Sequence, residues 1–321
     1  MKRIYSYILL CSATLLLCGC SLTTKEPLSK TGFYFDTVIT ITLYNSKDEE
    51  IMNTCFEYCK DFENLVSRTI PTSDISCINA AAGQSVEVSD TTIELLKKGI
   101  EFGKLTDGAF DITIAPLMEL WDIKNNPGNV PSETDINETL SHVNYKDIVI
   151  EGNTVTLTDK LAAIDLGGIA KGYMADQLKE YLLSEGVTSA IINLGGNVLT
   201  IGEKPDGTSF NIGIQKPFDK QNATITSVQV KDSSVVTSGS YERYFKVDDV
   251  IYHHILNTET GYPCDNGLLS VTILSEKSVD GDALSTACFA LGLDEGNKLI
   301  ESLEDVDAIF VTKEFEIIDT R

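Results

Sequence analysis

Apolar and polar positions alternate from Phe33 to Asn45 (FYFDTVITITLYN), and the β-branched and aromatic side chains in that run predict a strand. The period then changes. Ile51, Cys55, Cys59, Phe62 and Val66 share one face at helical spacing, and Asp48 is placed to cap the first turn. Arg68 to Asp90 is rich in small residues and is expected to be loop. A second amphipathic helix is expected over Thr91–Thr106, broken by Asp107-Gly108. A short one follows over Ala115–Trp121, opened by Pro116. Asp122 to Asp135 contains Asn125-Asn126-Pro127-Gly128 and Pro131 and reads as an exposed connection. Ile148–Leu157 carries a hairpin signature at Gly152-Asn153.

From Ala163 a strand is expected to enter a glycine turn and then a helix over Ile169–Glu185. Ala190–Ile201, Phe210–Gln215 and Thr224–Val230 read as strands, Phe245–Ile255 as a hairpin turning at Asp248-Asp249, and Leu269–Leu274 as a further strand. Helices over Val279–Leu291 and Glu295–Leu303 precede two short strands near Ala308 and Phe315. Strands come in runs with helices between them, so the expected class is α+β with mixed antiparallel sheets. The strict strand–helix alternation of a solute-binding lipoprotein is absent.

The N-terminus changes the picture of where this fold resides. Met1-Lys2-Arg3 is followed by an almost wholly apolar run from Ile4 to Leu17, too short for a comfortable membrane span but suited to a signal-peptide core. Leu17-Cys18-Gly19-Cys20 resembles a bacterial lipobox. The expectation is a signal peptide over residues 1–19, lipidation at Cys20 and a polar tether over 20–31 before the domain of 32–321. A plain secretory signal or an uncleaved anchor helix are the other readings of the same residues.

The 321 residues carry 25 Lys and Arg against 48 Asp and Glu, a formal charge of -23, and such a surface repels a nucleic-acid backbone. Of eight cysteines, Cys11, Cys18 and Cys20 belong to the signal region. The remaining five are odd in number and form no CxxC pair, so neither a zinc site nor a disulfide framework is indicated.

Candidate chemistry concentrates in a few segments. Asp165-Leu-Gly-Gly-Ile-Ala-Lys171-Gly-Tyr173 places two glycines and a lysine where a strand meets a helix, a setting that suits a phosphate or a tight turn. Asp282 and Thr286 are four apart on one helix face, which suits a hard cation such as Mg²⁺ or an Asp favoured by the helix dipole. His253 and His254 are adjacent in a strand and therefore face opposite ways. Either is a candidate base beside a phosphate. Ala109-Phe110-Asp111 offers either a flat-ring contact with a polar edge or a core Phe beside a capping Asp. Asn193-Leu-Gly-Gly-Asn197 permits close backbone approach, and Ser238–Tyr244 reads as a polar loop with two tyrosines and Arg243 that either touches substrate or turns the chain.

In this order, AFD, DLGGIAKGY, INLGG, TSGSYERYF, HIL–TETG and DALST resemble the ApbE family of FAD:protein FMN transferases, over roughly residues 33 to 312. The resemblance implies a fold related to the T-fold with FAD held between its halves. It implies Mg²⁺-dependent transfer of FMN from FAD to a Thr or Ser hydroxyl of an exported target protein, with AMP released. An FAD pyrophosphatase and a non-catalytic FAD-binding lipoprotein are the alternatives. By motif position, Asp282, Thr286 and the Gly168 carbonyl would hold the metal. Phe35, Ala109, Phe110, Asp111, Asp165, Lys171 and Leu256 would contact FAD, and His254 would be the base. Two motifs depart from the family pattern. Phe35-Asp36-Thr37 stands where many members have Met-Gly-Thr, and His254-Ile-Leu-Asn257-Thr258 where they have His-Ile-Ile-Asp-Pro.

Overall fold

A computed structural model describes residues 26–220 and 223–321. The expected signal peptide and Cys20 lie outside these residues. Strands β1 (Leu28–Tyr34) and β2 (Thr37–Leu43) form an antiparallel hairpin where the pattern predicts one strand preceded by tether. The chain reverses at Phe35 and Asp36, both with positive φ (54° and 58°). Neither is the Asn or Gly that a two-residue hairpin turn favours, so no local signal marks the reversal. Ser29 and Thr31 pair their hydroxyls with Thr42 and Thr40 across the hairpin. The segment from Leu28 to Thr31 is therefore ladder rather than tether.

Helix α1 (Glu49–Val66) forms as its period predicts: the Asp48 carboxylate accepts the Glu50 and Ile51 amides, and the expected apolar face is buried. Helix α2 (Asp74–Ala80) occupies a stretch expected to be loop, and, after α3 (Asp90–Leu105) and α4 (Ala115–Trp121), α5 (Glu133–Leu140) starts within the last three residues of the expected connection and runs into a stretch with no assigned element. α2 and α5 are each capped by a serine, Ser73 and Ser132. A small sheet of β3 (Val86–Glu87), β4 (Ile148–Glu151) and β5 (Thr154–Leu157) packs beside α2. Ala163, expected in a strand, makes only an isolated bridge to Ile114 before helix α6 (Ala170–Ser184) begins.

Among the described residues the central sheet has eight strands. β6 (Ala190–Leu194) and β7 (Asn197–Ile201) turn at Gly195-Gly196, both with positive φ, where the pattern reads one strand. After the hairpin of β8 (Phe210–Gln215) and β9 (Thr224–Val230) comes β10 (Ser234–Gly239), an unexpected strand. The hairpin of β11 (Tyr244–Val247) and β12 (Val250–His253) turns as predicted at Asp248-Asp249. β13 (Leu268–Ser275), helix α7 (Ser278–Glu301), β14 (Asp307–Thr312) and β15 (Ile317–Asp319) complete the chain. The sheet order is β1-β2-β6-β7-β10-β13-β14-β15, antiparallel throughout. The two helices expected near the C-terminus are the two parts of α7, broken at Gly292 (φ 82°).

Three apolar clusters result. The largest lies between the central sheet and helices α1, α6 and α7. The β8–β9 hairpin covers the other face, with Phe210, Ile214 and Val228 against Val235, Leu274 and Ile309. A third joins Leu117, Trp121, Ile136, Phe245 and Leu256, with Trp121 Nε1 donating to the Gly261 carbonyl at 2.8 Å. This arrangement is the α+β class expected from the sequence.

Candidate active site

Between the largest cluster and the third runs a cleft of about 880 Å³, within the range of small-ligand sites. Every cleft residue expected from the sequence lines it: Phe35, Ala109, Phe110, Asp111, Asp165, Gly168, Lys171, His254, Leu256, Asp282 and Thr286. They come from five separate chain segments, so sequence distance conceals their proximity.

One end of the cleft is a cluster of oxygens. Asp282 is buried on α7 and Thr286 lies one turn further along. A Cβ added to Gly168 would stand 3.5 Å from Thr286 Oγ1, which brings the glycine corner to the same point. The Gly172 amide donates to Asp282 Oδ2 at 2.9 Å rather than to the Gly168 carbonyl. No backbone amide among the described residues takes that carbonyl. Lys171 Nζ sits among these oxygens, 2.8 Å from the Gly167 carbonyl and 3.4 Å from Asp282 Oδ1.

A carboxylate, a hydroxyl and a free carbonyl form a hard donor set that fits Mg²⁺, provided substrate oxygens complete its shell. Among the described residues no group of three or more His, Cys, Asp or Glu converges, so a soft-metal or all-protein cage is not indicated.

The two helices that meet here cap each other. Asp282 of α7 receives the Gly172 amide of α6, and Asp176 of α6 receives the Ser278 and Val279 amides of α7 at 2.8 and 2.9 Å. Burial pushes the Asp176 carboxyl up to about 6, against the lowering effect of those amides. At Gly172 any side chain would collide with the backbone of Ser278 and Val279, which explains the glycine inside the first turn of α6.

The strand alternation expected at the two histidines is present. His253 turns into the core, where its Nε2 meets the Cys264 carbonyl at 2.8 Å. His254 turns into the cleft wall, and its Nδ1 is buried with no hydrogen-bond partner. Burial, together with the nearby Arg243 and His253, pushes the His254 imidazole down to about 3, so it is neutral near pH 7.

At Ala109-Phe110-Asp111 both local alternatives are present: the residues line the cleft and also pack the fold. Phe110 packs edge-on against Phe102. Asp111 accepts the Thr113 amide and hydroxyl on Oδ1 and the Tyr145 amide on Oδ2. Phe110 and Asp111 line the cleft while also packing the fold, and Asp111 Oδ2 takes a single protein donor.

Arg68 is the largest omission of sequence reasoning. It comes from the region expected to be loop, pairs through Nε with Asp165 Oδ2 at 2.6 Å and reaches Glu119 with NH1 at 3.2 Å. Only its charge in a small-residue stretch marks it.

A family model described as the ApbE family matches residues 35–310. The chain belongs to the ApbE family. A protein of Klebsiella pneumoniae described as an FAD:protein FMN transferase is 41% identical over 283 residues, which cover 87% of each chain. One of Treponema pallidum with the same description is 33% identical over 80% of this chain and 75% of that one. The crystal structure of an ApbE protein from Thermotoga maritima superposes with a TM-score of 0.85 at 34% identity, covering 92% of this chain and 97% of that one. The apo flavinyl transferase ApbE of Pseudomonas stutzeri gives 0.83 at 28% identity, covering 94% and 96%. ApbE membership agrees with the expectation drawn from the ordered motifs.

Proposed function

We propose that this protein transfers FMN from FAD to a Thr or Ser hydroxyl of an exported target protein and releases AMP. The observation that carries the reading is the convergence of Asp282, Thr286, Gly168 and Lys171 at one end of a cleft large enough for a dinucleotide. The relatives described as FAD:protein FMN transferases support the same reading.

The chain's residues divide the work of phosphoryl transfer, which is mostly positioning and charge neutralisation. Asp282 Oδ1, Thr286 Oγ1 and the Gly168 carbonyl would hold Mg²⁺, which when bound supplies positive charge to the diphosphate of FAD. Lys171 shifts from Asp282 toward the phosphate oxygens. The acceptor hydroxyl attacks the phosphorus on the FMN side. A bond forms from that hydroxyl oxygen to phosphorus, the bridging P–O bond breaks, and AMP leaves with the bridging oxygen. His254 takes the hydroxyl proton on Nε2, because its Nδ1 is buried in the wall. A dianion beside the imidazole favours its protonated form, which offsets the burial that holds it neutral in the free protein.

The lipobox-like Leu17-Cys18-Gly19-Cys20 supports anchoring through Cys20 at the outer face of the cell membrane, where an exported acceptor would be met. The test of the reaction is incubation with FAD, Mg²⁺ and an exported flavoprotein domain. Flavin fluorescence on the acceptor in a denaturing gel, with one AMP per flavin attached, is the expected result. Free FMN and AMP with an unlabelled acceptor would establish a pyrophosphatase instead.

A further inference from the structure

We infer that Asp36 is the central post of an ionic clasp over the rim of the cleft, and that the clasp must open for FAD to enter or leave. The inference rests on the reading that FAD occupies this cleft. Asp36 lies in the turn between β1 and β2. Its Oδ1 and Oδ2 receive Lys124 Nζ at 2.5 and 2.6 Å, and its Oδ2 receives Arg243 NH2 at 3.2 Å. Lys124 comes from the segment after α4 and Arg243 from the bend between β10 and β11. One carboxylate therefore ties together three segments 88 and 119 residues away from each other along the chain or more. All three residues line the cleft, and their side chains are 43%, 56% and 43% exposed, so they stand at its opening rather than its floor.

Two further observations show that the post is held in place. Phe35 and Asp36 both adopt the left-handed conformation, which is costly for a bulky residue and persists where surroundings enforce it. Here the Phe35 amide is fixed by Glu63 Oε1 of α1 at 2.6 Å. On the other side, the Arg243 carbonyl receives the His254 amide at 3.1 Å, so the clasp is joined by backbone to the residue proposed as base.

Partly exposed ion pairs are individually weak and screened by salt. They suit a fastening that opens often. A clasp and a simple charge effect give opposite signs, and this separates them. If Asp36 merely repels the FAD diphosphate, Asp36→Asn speeds association and slows dissociation. If Lys124 merely attracts it, Lys124→Met slows association. If the two residues close the rim, both substitutions speed association and dissociation together and leave the equilibrium affinity little changed.

The experiment is stopped-flow flavin fluorescence on the full chain with FAD and Mg²⁺, without acceptor. Both variants are expected to raise both rate constants about threefold to tenfold at low salt, with the wild type approaching them near about 0.5 M NaCl. Circular dichroism melts of each variant confirm folding, and Arg243→Gln serves as the third arm if either fails. Opposite signs for the Asp36 and Lys124 variants would overturn the clasp while leaving the FAD site intact. No FAD-dependent signal in the wild type would overturn the site reading and the clasp with it.

Discussion

Asp176 and Asp282 exchange places at the start of α6 and α7: each carboxylate caps the helix that the other residue belongs to. The oxygen cluster is thereby fixed by the same contacts that fix the helix crossing. Replacing Asp176 with Ala removes the acceptor of two amides at a buried helix end. The expected cost is about 2–3 kcal/mol, seen as a lower melting temperature. AMP release should fall as well, because the helix carrying Asp282 loses its register.

Gly172→Ala tests the crossing from the other side. The added Cβ would stand 2.7 Å from the Ser278 carbonyl carbon and from Val279 Cα, both backbone atoms that cannot rotate away. Overpacking of this kind costs roughly 1–3 kcal/mol or more. A calorimetric melt should show the loss, and a variant as stable as the wild type would show that the helices are free to separate.

Asp282→Asn keeps the shape but removes the charge facing Lys171 and the proposed metal. FAD-dependent AMP release should drop about a hundredfold or more. Mg²⁺ with FAD is expected to raise the melting temperature of the wild type and not that of the variant. Retention of both would remove Asp282 from the metal site.

The neutral state of His254 carries a pH signature. Its folded pKa, about 3, lies below the value near 6.5 of a free imidazole, so the unfolded chain binds more protons between these limits. Stability from this group is full above pH 6.5 and is lost as pH falls toward 3. Burial lowers the His253 imidazole too, so it contributes with the same sign. His254→Phe should flatten, without abolishing, the decline of melting temperature between pH 6.5 and 4. An unchanged slope would place the imidazole in contact with water.

Arg68→Ala frees Asp165 and Glu119 from their shared cation at the cleft. We expect a KM for FAD raised roughly tenfold with kcat changed much less, because the residue orients the cleft wall and lies apart from the oxygen cluster. Steady-state AMP release over a range of FAD concentrations checks this split.

Elements with a long apolar face were legible in the chain: α1 through Ile51, Cys55, Cys59, Phe62 and Val66, and α3 by the same logic. Short α2 and α5 were not, because they bury only Ile75 and Ile78 in one case and Ile136 in the other. The β1–β2 reversal escaped because Phe35 and Asp36 take left-handed conformations without the usual residues for them. The β6–β7 reversal escaped although Gly195 and Gly196 stood in view, since apolar residues continue on both sides. At the site, motif residues carry their chemistry in their spacing, as Asp282 and Thr286 do. Arg68 and Lys124 belong to the cleft through tertiary folding alone, and no period announces them, whereas Arg243 stood in view in Ser238–Tyr244 without its partner Asp36.

The helix crossing and the rim are built from different material. The crossing of α6 and α7 is welded to the central sheet, whereas the rim consists of one tight turn and two surface segments. A descendant of this enzyme could redraw the turn and those segments to welcome a new protein client, and still break the same bond in the same donor.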